Sequence, residues 1–263
     1  MKYKLDYLKV DPAGNITAFI IGDVDPSHRA KIANIIIDDY DPSVEQVGFI
    51  SKKADGTYRM DMMGGEFCAN ASRSFGLYLA KTLDLFDEDL IEAEVSGSKD
   101  KVQVKVDKDR MTAEIILSPA REVKNLSLAG GTYTTVFLDG IIHVIVNDRE
   151  EDRDLAEEII NELKNFYTDD AYGLMFLDEK NLTLVPYVYV EETKTLIREG
   201  SCGSGTFSAG YYLNKDKNPG FKATLKQPRG SLEVKAQQVN DSLTYSIGGP
   251  VSFGTIEKVE FDL

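Results

Sequence analysis

Two cysteines stand 134 residues apart in a chain of 263, and each opens a run of small residues, Cys68-Ala-Asn-Ala-Ser and Cys202-Gly-Ser-Gly-Thr. If each run starts a helix, its unsatisfied N–H groups and dipole favour an anion and draw the neighbouring thiol toward thiolate. Small side chains let a ligand carboxylate approach that backbone. Laid over each other, Cys68–Leu79 and Cys202–Leu213 share Cys, Ser, Gly, Tyr and Leu at matching positions, with an acidic residue, Glu66 or Glu199, just upstream. Such a duplication puts one thiol in each half. Two thiols facing one small anion suit removal of a proton from one face of a carbon α to a carboxylate and delivery to the other face. Blander readings attach to the same residues: inert buried cysteines, a disulfide between the halves, or a cysteine nucleophile with His143 as base. The nucleophile reading leaves one cysteine and the duplication unexplained.

The surrounding elements follow from periodicity. Strands are predicted over Lys2–Val10 and Ile16–Ile21 around a Gly14–Asn15 turn, then a helix capped by Asp25 with Pro26 at its first position. Val47–Ile50 and Tyr58–Met63 read as strands, Cys68–Leu83 as a helix, and Ile91–Val95, Lys101–Val106 and Met111–Ile116 as short strands. Ser118–Gly131 is the best linker. The order then repeats: strands at Thr132–Leu138 and Ile141–Val146, a helix at Leu155–Phe166, strands at Leu174–Leu177 and Leu184–Val190, a helix from Cys202, and strands to the end. The expected domains are residues 1–119, with 253–263 returning to the first, and 120–252.

Composition narrows the function. Thirty Lys and Arg against 44 Asp and Glu leave a net charge of −14, which repels nucleic acid and anionic lipid. The amino terminus has no apolar signal core, and no apolar run approaches a membrane span, so the expected location is cytoplasmic. Two Cys and two His cannot assemble the usual zinc sets, and no metal is expected.

Several motifs then resemble one family. Glu66-Phe-Cys68-Ala-Asn70-Ala-Ser-Arg73 resembles the Cys-Gly-Asn-Gly-x-Arg motif of diaminopimelate epimerases, and Cys202-Gly203-Ser204-Gly205 their second Cys-Gly-Thr-Gly. Pro12-Ala-Gly14-Asn15 looks like the family's Gly-Asn turn, Glu45-Gln46 falls at its Asp-Gln pair, and Gln227-Pro-Arg-Gly-Ser-Leu232 resembles its late strand entry. The resemblance implies an α+β fold of two pseudo-symmetric domains, each a β-barrel-like sheet around a central helix. It places the active site in the cleft between them and implies two-cysteine chemistry with no cofactor.

Departures point to a branch. The family's Gly-Asn-Pro-His is Gly140-Ile-Ile-His143 here, and a second recognition Asn, expected near Tyr187–Tyr189, is absent. A pocket without these polar partners should not bury a second zwitterion, which argues against diaminopimelate. Glu45-Gln-Val-Gly-Phe-Ile50 and the two cysteine motifs resemble the histidine racemases of this family. The resemblance makes Cys68 and Cys202 catalytic, with Glu45 assisting; Asn15, Gln46, Ala69, Asn70, Glu199, Gly203 and Ser204 are expected to bind substrate. Ala69 departs from the more usual Gly. Each has a plainer role to set beside this: solvation for Glu45, a turn for Asn15, helix capping for Asn70, and an ion pair with Arg198 for Glu199. His143, in the run IIHVIV, reads as a core-edge histidine, and Arg73 as a bridge between domains. The expected partner is a small amino acid, histidine, with a homodimer as the assembly considered. A diaminopimelate epimerase, a racemase of broad specificity and an amino-acid binding protein without turnover stay open as alternatives.

Overall fold

A computed structural model describes residues 1–191, 194–239 and 242–263. The chain begins β1 (Lys2–Asp11), β2 (Thr17–Ile21), α1 (Pro26–Ile35, prolonged by one π turn, Ile36–Tyr40), β3 (Gln46–Lys52), β4 (Tyr58–Met62) and α2 (Ala69–Leu83). It continues with β5 (Ile91–Val95), β6 (Val102–Asp107), β7 (Thr112–Leu117), β8 (Glu122–Leu128), β9 (Gly131–Leu138), β10 (Ile141–Asn147) and α3 (Arg153–Lys164). The last elements are β11 (Ala171–Asp178), β12 (Thr183–Val190), β13 (Thr195–Arg198), α4 (Gly203–Leu213), β14 (Lys222–Gln227), β15 (Gly230–Val239), β16 (Ser242–Pro250) and β17 (Ser252–Asp262). The class is mixed α+β, with few helices against many strands. Among the described residues, no helix is long and apolar enough to cross a membrane.

The chain divides into two units, one of Met1–Ile115 with Gly248–Leu263, the other of Ile116–Ile247. In the first, β17 pairs antiparallel with β1 and β1 with β2; β2 runs parallel to β3, β3 antiparallel to β4, β4 parallel to β5, and β5 antiparallel to β6. In the second, β8 pairs antiparallel with β9 and β9 with β10; β10 runs parallel to β11, β11 antiparallel to β12, β12 parallel to β14, and β14 antiparallel to β15. The same sequence of pairings therefore occurs twice. In both units the parallel steps are those that a helix must span, because parallel neighbours need a long crossover.

Helices α2 and α4 occupy equivalent places in this repeat. Every residue from Ala69 to Ala80 of α2 is buried, as expected of a helix enclosed on all sides rather than laid on a surface. Gly76 and Gly210, also 134 residues apart, show why this glycine recurs. A Cβ on Gly76 would fall 2.6 Å from the Val104 side chain of β6, and one on Gly210 2.5 Å from the Val234 side chain of β15. Each helix approaches its sheet too closely for any side chain at that point. Outer helix α3 is ordinary by contrast: Asp152 caps it, accepting from Leu155 N at 3.1 Å, and Leu155, Ala156, Ile159, Ile160 and Leu163 turn inward.

The structure corrects one reading of the sequence and adds a strand to it. Half of the supposed linker Ser118–Gly131 is strand β8, hairpinned onto β9 through Ala129 and Gly130, both at positive φ (46° and 72°). Positive φ at both turn positions matches the twist of antiparallel strands, so the small residues that looked like a linker form a tight turn. Strand β13, short and mostly exposed, carried no recognisable period, yet it pairs with β12 and leads the chain into Cys202.

Candidate active site

In the first unit the turn between β1 and β2, with Ala13 and Gly14 at φ of 63° and 97°, delivers Asn15 buried beneath it. The parallel register sets Thr17 of β2 beside Gln46, the first residue of β3, with Glu45 just before it. Cys68 ends the loop from β4 and is the N-cap of α2, where its Sγ accepts from Ala71 N at 3.4 Å. The site is a chain of amide contacts. Gln46 Nε2 lies 3.2 Å from Cys68 Sγ and 3.1 Å from Thr17 Oγ1, and it also donates to Asn15 Oδ1. Asn15 Nδ2 donates to Glu45 Oε2 at 2.9 Å, and Asn70 Nδ2 stands 3.5 Å from Asn15 Oδ1. The structure thus gathers Asn15, Glu45, Gln46, Cys68, Ala69 and Asn70 at one helix start. Asn70 is the second residue of the helix and does not cap it; the sulfur does.

Arg73 explains how Asn70 is held. Its Nε donates to Asn70 Oδ1 at 3.2 Å, and its Nη1 lies 2.9 Å from Gly249 O, 3.2 Å from Pro250 O and 3.4 Å from Ala113 O. All of these partners belong to the first unit. The side chain is wholly buried, and burial pushes its pKa down to about 10, so it remains a cation. Asp11 and the Cys68 sulfur, when anionic, favour that charge, and the attraction is mutual.

Two residues outside the motif fix the loop that carries Cys68. Ser96 Oγ, buried, accepts from Met62 N at 2.8 Å and donates to Glu66 O at 2.8 Å. Gly97, at φ 69°, lies so close that a Cβ there would fall 2.2 Å from Phe67 N. The sequence carries Ser96-Gly97 only as an ordinary turn signal. Nothing in it joins that turn to a cysteine some thirty residues earlier.

The second unit builds its cysteine the same way. Cys202 is the N-cap of α4 at φ −122° and ψ 117°, against −123° and 111° for Cys68, and its Sγ accepts from Gly205 N at 3.3 Å. Gln227, at the end of β14, clamps it: Cys202 N donates to Gln227 Oε1 at 2.7 Å, Gln227 Nε2 donates to Thr206 Oγ1 at 2.8 Å, and Thr206 Oγ1 donates to Cys202 O at 2.7 Å. Gln227 had read only as part of a strand entry. Ser204 Oγ lies 3.5 Å from Cys202 Sγ and 2.9 Å from His143 Nε2. The histidine is wholly buried rather than at the edge of the core.

Electrostatics correct two further expectations. Burial pushes the Cys202 thiol well above the usual cysteine range, and the Glu199 carboxylate, hydrogen-bonded to it, adds to the rise; Ser204 and the Gly205 N–H pull less strongly the other way. A helix start alone therefore does not make this thiol acidic. Arg198, the neighbour expected to pair with Glu199, forks onto Glu151, with Nη2 2.8 Å from Oε1 and Nε 2.5 Å from Oε2. Both cysteines are free rather than joined in a disulfide. Among the described residues, no group of three or more His, Cys, Asp or Glu is placed to hold a metal.

Comparison with solved structures shows the fold. A Bacillus anthracis phenazine biosynthesis protein of the PhzF family aligns over 98% of this chain and 99% of its own, with a TM-score of 0.68 at 12% identity. A probable proline racemase from Agrobacterium radiobacter, covering 98% and 93%, gives the same TM-score at 13% identity. Sequence relatives are nearer. A histidine racemase of Fusobacterium nucleatum is 37% identical over 264 aligned positions, 97% of each chain, and one of Staphylococcus aureus is 31% identical over 89% of each. The family described as histidine racemase CntK N-terminal domain matches residues 4–255, nearly the whole chain, and the protein belongs to that family.

Proposed function

We propose that this protein is an amino-acid racemase that needs no cofactor, with histidine as substrate and Cys68 and Cys202 as its two acid/base groups. The observation that carries the reading is the twofold occurrence of one unusual device, a cysteine sulfur as helix N-cap with nearly the same backbone angles in each unit. Caps are ordinarily Ser, Thr, Asp or Asn, so a thiol used twice in that place is being used for its proton. The names of the relatives support racemisation and histidine.

In this reading one sulfur begins as thiolate and the other as thiol. The thiolate takes the α-proton, breaking C–H and forming S–H. The opposite thiol then gives its proton to the other face of the carbanion, so the two sulfurs exchange protonation states and solvent resets them. The helix starts at Ala69–Asn70 and Gly203–Ser204 offer N–H groups and positive dipole ends to the substrate carboxylate and to charge developing beside it. Asn15, Gln46 and Glu45 orient the substrate, and Glu199 meets its ammonium or takes part in proton transfer at Cys202. The pairing of the halves in the diaminopimelate epimerase manner belongs to the same proposal.

The test is incubation of the reduced protein with L-histidine in D2O, scored by chiral chromatography and mass. D-histidine carrying deuterium at Cα is expected. Binding without exchange would reduce the protein to an amino-acid receptor, and faster turnover of diaminopimelate would overturn the substrate.

A further inference from the structure

His143 lies on β10 in register with Val136 of β9 and Gly173 of β11, and it is wholly buried. Gly173 makes room for the ring, since a Cβ there would fall 2.1 Å from Nδ1. Nε2 stands 2.9 Å from Ser204 Oγ, and that oxygen 3.5 Å from Cys202 Sγ. Nδ1 is buried with no hydrogen-bond partner. Burial pushes the ring's pKa down to about 3, so near neutral pH it is uncharged and carries a single N–H hydrogen. Its register neighbours are uncharged, and the ionisable group at the far end of this chain of contacts is Glu199, beside Cys202.

One placement of that hydrogen leaves no donor orphaned. On Nδ1 it would be an unpaired N–H in the core, whereas on Nε2 it is donated to Ser204 Oγ; buried donors without partners are the rarer case. An oxygen that accepts from Nε2 keeps its own hydrogen for the remaining neighbour, Cys202 Sγ. The Gly205 N–H already points to the same sulfur at 3.3 Å. We propose that His143 is a positioning residue which, through Ser204, aims a hydroxyl hydrogen at Cys202 Sγ and steadies that sulfur while it holds the negative charge. The inference rests on the acid/base role of Cys202 proposed above. It gives the thiol that burial and Glu199 disfavour as an anion two fixed donors, and it makes the Ser204 hydroxyl part of the thiol's support while the Ser204 backbone N–H stays with the helix start that meets substrate.

The chain has two histidines and two cysteines, so NMR of the whole protein labelled with 15N-histidine and 13Cβ-cysteine gives two signals of each kind. His143→Gln and Cys68→Ser identify them by subtraction. His143 is expected to stay in the neutral Nε2–H form from about pH 5 to about pH 9. Ser204→Ala should shift both the His143 Nε2 and the Cys202 Cβ signals, and Ser204→Thr, which keeps the hydroxyl, should leave them near their wild-type places. Racemisation should fall roughly tenfold in Ser204→Ala and recover in Ser204→Thr, the size expected for one hydrogen bond to a charged group. An Nδ1–H tautomer, a histidine that titrates in the ordinary range, or a Cys202 signal indifferent to Ser204→Ala would overturn the proposal. If the wild-type protein racemises no amino acid, the functional reading fails, while the NMR measurements still decide the hydrogen-bond assignment.

Discussion

Replacing Gln227 by Leu takes away the acceptor of Cys202 N without changing the side chain's bulk much. The bond lost is 2.7 Å long and buried, and Thr206 keeps its own bond to Cys202 O, so one donor is orphaned rather than two. An unpaired buried donor costs about 1–3 kcal/mol. Taking about 2 kcal/mol, and about 2–4 °C of Tm per kcal/mol for a chain of this size, the variant should melt about 4–8 °C lower. The effect on rate is separate. Cys202 N is the anchor that holds the cap residue at its extended backbone angles, and a sulfur displaced by about 1 Å from its reacting position costs up to about a hundredfold. Calorimetry and a chiral assay on the same preparation test both parts. A Gln227→Leu protein that melts and racemises as the wild type does would refute the claim that this side chain holds the cysteine in place.

Three further outcomes are expected. Gly97→Ala puts a Cβ into Phe67 N from a left-handed backbone and should destabilise by about 2–4 kcal/mol in urea titrations, with loss of activity because the strained loop carries Cys68. Arg73→Leu takes a donor from Asn70 Oδ1 and from several buried carbonyls, each such loss costing about 1–3 kcal/mol, and should destabilise by about 3–5 kcal/mol in the same titration. His143 has its folded-state pKa lowered to about 3, so the stability it contributes is present above its unfolded pKa and is lost as pH falls. The wild type should lose about 2 kcal/mol from this group between about pH 7 and about pH 5, and urea midpoints of His143→Gln should lack that part of the slope.

Both cysteines, their small neighbours and the repeat that pairs them were legible because a motif on one helix start is local in sequence. So was the cap at Asp25, whose carboxylate accepts from Ser27 N at 2.9 Å with Pro26 at the first helical position. What escaped was whatever acts across the fold. Gln227 at the end of β14, and Ser96 and Gly97 in the turn after β5, hold the cysteine-bearing segments, and no spacing rule connects them to residues 25 to 30 positions away. His143 looked like packing because it sits in an apolar run; its partner Ser204 lies 61 residues on. The acidity of Cys202 was misjudged for a related reason. The helix start is visible in sequence, but the burial and the carboxylate that outweigh it are properties of the folded unit. Strand β8 escaped because its inward face is weak, with Val123 exposed and Leu128 its one buried residue.

The central claim is that two sulfurs share one inversion. It is tested most directly by running L-histidine in D2O with the wild type, Cys68→Ser and Cys202→Ser side by side, after circular dichroism has shown all three folded. The account predicts deuterated D-histidine from the wild type and none from either variant, since a hydroxyl is too weak an acid to replace a thiol in either step. Wild-type rates of inversion in either single variant would contradict it.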